Sequence, residues 1–349
     1  MLVQKFSISN DPQWYEAWPD VVLADNGVMV AVFSECTHHK DRSYTRIMLT
    51  ESSDRGRTWT PKHPLTEGTL NLPYYYNCAR IAKLSDGRLV ITLDKIKRGN
   101  EVDPQKSKVL LFFSSDNGKT WNAPVETPLY GIVPDRLIEL DNGRWIISAH
   151  CEFEGVFTQF LRYSDDKGVS WSEPVVVARD ENLFLCEISM VPLGGGKIVG
   201  FMRDNSLKGY DCKKVLSCDN GESWSEIINF PICGCHRPTA GRLKDGRFFI
   251  TYRFMQGGGG EIWERAQNFM GYLTDLKSVE ALTREGANGR VIPIDYDRSP
   301  FADLGYSGWV EFDDGEIYIV AYIVDDAYDK GQIRGYSILL KDLVLKKVT

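Results

Sequence analysis

The chain has 349 residues, 43% apolar and 26% charged, with a net charge of −7. Such composition excludes a disordered chain, and the negative balance argues against nucleic acid or an anionic membrane surface as partner. No run of about 18 apolar residues is present, so no membrane-spanning helix is expected.

Met1 to Asn10 lacks the basic start and apolar stretch of a signal peptide, which points to a cytoplasmic protein, with an exported mature form as the alternative. The eight cysteines, at 36, 78, 151, 186, 212, 218, 233 and 235, are scattered and read as reduced thiols. Cys233-Gly-Cys235-His236 has no second cluster at zinc-like spacing, so no metal is expected there, and the chemistry reached below calls for no organic cofactor.

Taken in chain order, the elements alternate between two kinds. A strand near Val3 to Ser9 is followed by a hairpin over Trp18 to Glu35, turning at Gly27. Then comes the phrase Ser52-Ser-Asp54-Arg-Gly56-Arg-Thr58-Trp59. Hairpins recur over Cys78 to Asp94, Pro134 to His150, Glu187 to Arg203, Arg237 to Arg253 and Tyr306 to Tyr322. Their turn glycines are Gly87, Gly143, Gly196, Gly246 and Gly315. The Ser-x-Asp-x-Gly-x-Thr/Ser-Trp phrase returns at Ser114 to Trp121, Ser164 to Trp171 and Ser217 to Trp224. In each copy Asp can bond nearby backbone N–H groups, Gly can take φ > 0 and Trp can pack against the strands.

The hairpin flanks, such as Arg247-Phe-Phe-Ile-Thr-Tyr252, are β-branched and aromatic. Six such units, each long enough for four strands, predict an all-β, six-bladed β-propeller over residues 1–349 as one domain. The ring is expected to close by pairing Val3 to Ser9 with the C-terminal blade.

Superposing the hairpins on their turn glycines puts two rings of residues at one mouth. Nine residues before each glycine stand Trp18, Cys78, Pro134, Glu187, Arg237 and Tyr306. Seven residues after it stand Ser34, Asp94, His150, Arg203, Arg253 and Tyr322, while Asp20, Arg80 and Arg136 lie two residues further in from the first ring. So many buried charges must pair or meet a ligand. Several arginines around a few carboxylates suit an anionic ligand, because the guanidinium fork matches a carboxylate. Arg80, Arg136, Arg237 and Arg253 are pocket candidates, some pairing with Asp94 or Asp135, and His150 either titrates or satisfies a buried partner.

On these residues the chain resembles the sialidase (neuraminidase) superfamily, whose Asp-box repeats the four turns match and whose fold has six blades. The resemblance implies an exo-glycosidase that removes a terminal, acidic sugar from a glycan or glycoconjugate. Asp303-Leu-Gly-Tyr306-Ser looks like the family's nucleophile strand, and Glu187, followed by Arg203, like its Glu and one carboxylate-binding Arg. Asp41, in the loop His38-His39-Lys40-Asp41-Arg42, stands where the acid/base Asp would, with His38 or His39 as the alternative donor. Arg265 is the match for a further Arg.

A Tyr nucleophile avoids repulsion from the sugar's own carboxylate, and it needs a base because a free phenol has a pKa of about 10. The departure from the pattern is in blade one. Members usually read Arg-Ile-Pro there, whereas this chain reads Ala17-Trp18-Pro19-Asp20, with Arg237 and Arg80 as candidate replacements. That leaves two alternatives: a hydrolase or lyase for another sugar on the same propeller, and a non-catalytic glycan-binding propeller. Gly257 to Gly260 reads as a flexible loop over the mouth rather than a phosphate loop.

Overall fold

The computed structural model describes residues 3–99, 107–257, 260–325 and 330–342. Blade one uses Tyr15–Leu23, Met29–His38, Asp41–Ser52 and His63–Pro64 as consecutive antiparallel strands. Blades three, four and five repeat this meander, with Leu185–Gly194 and Lys197–Asp204 innermost in blade four and Cys235–Arg242 and Phe248–Met255 innermost in blade five. In blade two the first strand is broken into Tyr74–Tyr76 and Arg80–Lys83, both paired with Leu89–Lys97. Blade six takes Leu304–Glu311, Glu316–Ile323 and Gln332–Leu339 from the end of the chain and Gln4–Ser9 from its start, registered as Phe6 opposite Gly335. The ring closure expected from the sequence is therefore present.

Second strands such as Glu316–Ile323 are buried along their whole length because each blade is covered on both faces by its neighbours. The apolar clusters accordingly straddle blade pairs: Val32 and Leu49 of blade one share a core with Ile81 and Ile91 of blade two. Side chains also lace the ring near its axis. Asp20 accepts the Ile81 N–H at 2.9 Å, Asp135 that of Met190 at 2.7 Å, and Ser189 Oγ that of Ala240 at 3.1 Å. Each bond satisfies a backbone donor of the next blade that no strand reaches.

The four Asp turns join third to fourth strands in blades one to four. In the first, Ser52 Oγ accepts the Gly56 N–H at 2.8 Å, Asp54 accepts the Thr58 N–H at 2.9 Å and its hydroxyl at 2.6 Å, and Trp59 Nε1 donates to Gly56 O at 3.2 Å. The other three copies repeat the Ser and Asp bonds, and the Trp bond returns at Trp121 and Trp224. Blades five and six lack the turn for separate reasons. Blade five replaces it with a short helix, Leu276–Glu280, whose closing carbonyls receive the buried Lys214 ammonium. Blade six has no third-to-fourth linker because its fourth strand comes from the N-terminus.

Candidate active site

Four of the six residues nine positions before a turn glycine share one unusual backbone state. Trp18, Glu187, Arg237 and Tyr306 have φ of 56°, 52°, 48° and 40°. Each sits where the first strand skips register against the second, between Ala17 and Asp20, Cys186 and Ser189, His236 and Thr239, and Gly305 and Gly308. These are β-bulges, which re-aim a side chain, and a left-handed non-glycine residue costs of order 1–3 kcal/mol. In blade three the left-handed residue is Val133, with φ 48°, rather than the expected Pro134. Proline cannot take positive φ, so the turn moves back one residue.

The bulges bring Tyr306 and Glu187 together. The Tyr306 hydroxyl donates to Glu187 Oε1 across the mouth, and Arg203 Nη1 donates to both carboxylate oxygens at 3.0 Å. Burial works against ionisation of Glu187, but Arg203 and then Arg237 outweigh it and hold its pKa down to about 2. Burial, and then the Glu187 charge, push the Tyr306 phenol well above its usual range. The pair is therefore a neutral phenol hydrogen-bonded to a carboxylate. Arg237 and Arg253 stand 5.5 and 5.8 Å from the phenol ring centre.

Behind Tyr306 lies a carboxylate whose role the sequence reading missed. Asp303 accepts from Tyr15 Oη at 2.5 Å, His39 Nδ1 at 2.5 Å, Tyr322 Oη at 2.7 Å and Arg253 Nη1 at 3.3 Å. Burial opposes its charge, yet His39 and then Arg253 keep its pKa at about 2. The available signal was a carboxylate three residues before Tyr306, directly ahead of the strand Leu304–Glu311.

Several expected roles change once partners are visible. Asp20, Arg80 and Arg136 belong to one another rather than to the ligand mouth. Arg136 grips both Asp20 oxygens, and Arg80 Nε lies 3.3 Å from Asp20 and donates to Ser307 O at 3.0 Å. Arg80 and Arg136 line a cavity of ≈ 600 Å³ together with Gly143 and Arg242, at the turn end of the hairpins. Arg203 is bound to Glu187. Arg265 donates to Leu207 O, Gln256 O and Gly260 O at 2.7, 3.3 and 3.1 Å, so it anchors loop backbone. Residues 258 and 259 of the expected Gly-rich loop lie outside the described residues.

His150 Nδ1 accepts the Glu187 N–H at 3.3 Å, and burial lowers its pKa to about 4, so it is a neutral acceptor that supports the bulge. Asp94 does the same for Val133 N–H at 2.9 Å and pairs with Asn77 rather than an arginine, while Asp135 takes the Met190 N–H. Asp41 is the exposed first residue of the strand after the hairpin turn, and its carboxylate accepts the Ser43 N–H at 2.8 Å, which lowers its pKa. Cys233 is exposed and Cys235 buried, with a left-handed Gly234 between them. Among the described residues one group, Asp11, Glu16 and Glu35, has metal-like spacing, and Lys62 Nζ fills it at 2.9, 2.6 and 2.6 Å.

Comparison with known proteins agrees with this architecture. Residues 97–257 match the family model of the BNR repeat-like domain. A sialidase from Clostridium perfringens is 23% identical over 224 residues, 59% of this chain and 47% of that protein. The chain thus spans less than half the length of the curated relatives it matches. Among solved structures, a protein of unknown function from Dyadobacter fermentans superposes with a TM-score of 0.76 at 20% identity, covering 96% of this chain and 98% of that one. The Hadza microbial sialidase Hz136 superposes with a TM-score of 0.68 at 16% identity, covering 95% and 66%.

Fold and repeats together define a class: the chain is a six-bladed β-propeller with BNR-type repeats, a fold that it shares with solved sialidases. Its blade-one strand carries Ala17 and Trp18 where the resemblance implied an arginine.

Proposed function

We propose that this protein is a retaining exo-glycosidase that removes a terminal sugar, with Tyr306 as nucleophile and Glu187 as its base. The observation that carries this reading is the hydrogen bond from the Tyr306 phenol to Glu187, each residue held in a left-handed bulge. That strain is the kind stored at functional sites. The sialidases among the similar proteins support a sialoside as the sugar to try first.

In the first half-reaction Tyr306 Oη bonds to the anomeric carbon, its proton passes to Glu187, and the glycosidic C–O bond breaks. The departing oxygen takes a proton from the His38–Asp41 hairpin. In the second half, that same group takes a proton from water, whose oxygen displaces the phenolate, and Glu187 returns its proton to Tyr306. Within the hairpin His39 fits the acid/base role better than Asp41. Its ring is fixed by Asp303 and lies 5.1 Å from Trp18, which in turn lies 6.4 Å from Tyr306. Asp41 is exposed and ionised. Burial lowers the His39 pKa against the pull of Asp303, so activity carried by the imidazolium fades as pH rises through a value below 6.5.

The test is hydrolysis of a fluorogenic aryl α-sialoside by the wild type and Tyr306→Phe, with His39→Gln and Asp41→Asn in the same assay. Tyr306→Phe is expected to lose at least about a thousandfold in kcat while its melting midpoint holds. His39→Gln is expected to lose far more than Asp41→Asn. An unchanged rate in Tyr306→Phe removes it as nucleophile, and the reverse order of the other two returns the acid/base role to Asp41.

A further inference from the structure

The mouth carries a guanidinium that no carboxylate among the described residues bonds directly. Arg42, on the hairpin that also bears His39, lies with its Cζ 3.8 Å from the centre of the Trp18 ring. Its Nε donates to His39 O at 3.0 Å, and its Nη1 has only the weak Cys36 Sγ at 3.9 Å. No carboxylate bonds it among the described residues, and the residue is partly open to solvent. The hairpin is held from below: Arg98 donates to Arg42 O at 2.5 Å and Ser43 O at 3.0 Å, and Lys330 to Thr37 O at 3.0 Å. Arg42 is thus a fixed, stacked, planar donor, the geometry that reads an oxyanion group in a bidentate way.

The surrounding charge points the same way. Arg237 is fully buried, donates to Pro134 O at 3.4 Å, and among the described residues leaves Nε and Nη1 without a partner. Arg203 and Arg253 have Glu187 and Asp303. Four guanidinium groups therefore face two fully ionised carboxylates and a third, Asp94, whose pKa burial raises to about 6. Buried cations without partners are costly, so the mouth is built to receive a negative group.

We infer that Arg42, stacked on Trp18, is the specificity-determining residue that receives the anionic group of the substrate sugar. It does from the blade-one hairpin what Ala17 cannot do from the blade-one strand. The inference rests on the glycosidase reading for its substrate and on the charge at the mouth for its residue, and the two are separated experimentally.

Kinetics compare an aryl α-sialoside with its neutral methyl ester, for the wild type, Arg42→Gln and Arg42→Lys. The wild type is expected to prefer the free acid. In Arg42→Gln the acid-to-ester ratio of kcat/KM falls roughly 10- to 100-fold, the worth of a charge-assisted hydrogen bond, and Arg42→Lys recovers part of it. A ratio unchanged in Arg42→Gln overturns the inference while leaving the glycosidase reading in place. If the wild type turns over neither compound, the sialoside reading fails and calorimetry decides on Arg42. Wild type is titrated with N-acetylneuraminate, glucuronate and galacturonate. Binding of one of them that weakens at least about tenfold in Arg42→Gln upholds the inference. No binding, or equal binding, overturns it.

Discussion

His150 shows how a single side chain ties chemistry to stability. It looks into the site from the second strand of blade three, yet its Nδ1 serves the backbone N–H of Glu187 in blade four. Burial lowers its pKa from 6.5 to about 4, with the Arg237 and Arg203 charges adding to the effect against Glu187. The sign follows from proton counting. Between pH 6.5 and about 4 the unfolded chain binds a proton at this position and the folded chain does not, so stability rises with pH there. The contribution is fully present above 6.5 and is lost as pH falls towards 4, at most ~3 kcal/mol. Asp94 works in the opposite direction, since its folded pKa is raised to about 6. The prediction is therefore made as a difference. His150→Asn keeps an acceptor at the same place but does not titrate. Urea melts at pH 7 and pH 4.5 are expected to show the wild type losing stability relative to His150→Asn on acidification, and parallel losses refute the account.

At the level of the element, the Asp turns and hairpin turns both contain a glycine in the left-handed region, but for different reasons. Gly27 and Gly56 each have φ of 80°. A Cβ on Gly27 meets nothing within 4 Å, whereas on Gly56 it falls 2.2 Å from the Tyr318 ring of blade six. The Asp turn of blade one is thus also the contact through which that blade seats against its neighbour. Tyr318 Oη donates to Gly56 O at 2.7 Å, which fixes the same contact from the other side. Gly27→Ala is expected to cost about 1 kcal/mol, the strain of the backbone alone. Gly56→Ala adds overpacking against a buried ring, about 1–3 kcal/mol more. Urea denaturation of the two variants checks this, and equal midpoints would mean that the turn and the ring move apart freely.

At the level of the molecule, the ring is held shut by noncovalent pairing of its first and last strands. Gln4–Ser9 lies against Gln332–Leu339, and Lys5 reaches Asp295 of blade five at 2.5 Å. Lys62 adds a second clasp by joining Asp11, beside the closing strand, to Glu16 and Glu35 of blade one. Removing residues 1–9 leaves Gln332–Leu339 as an open edge, and open edges associate. The truncated chain is expected to melt earlier and to self-associate on gel filtration. A monomer with an unchanged melting midpoint would show that closure is maintained by the blade interfaces alone.

The blade count, the strand order within hairpins and the position of the four Asp turns are legible in the sequence because local chemistry sets them. A Ser, an Asp and a Gly at fixed spacing satisfy one another within a single turn, and the turn glycines mark the hairpins. The pairing of Tyr306 with Glu187 was reachable through the resemblance, and it also stands on equivalent positions in two repeats. What each charge faces was not legible. Asp20 finds Arg136 at a separation of 116 residues, Tyr15 finds Asp303 at 288 and Arg265 turns to a nearby loop, none of which follows from spacing. These partners are chosen by the angle at which six sheets converge on one axis. Only the closed ring decides which guanidinium groups are neutralised and which, like Arg42, have no bonded carboxylate among the described residues.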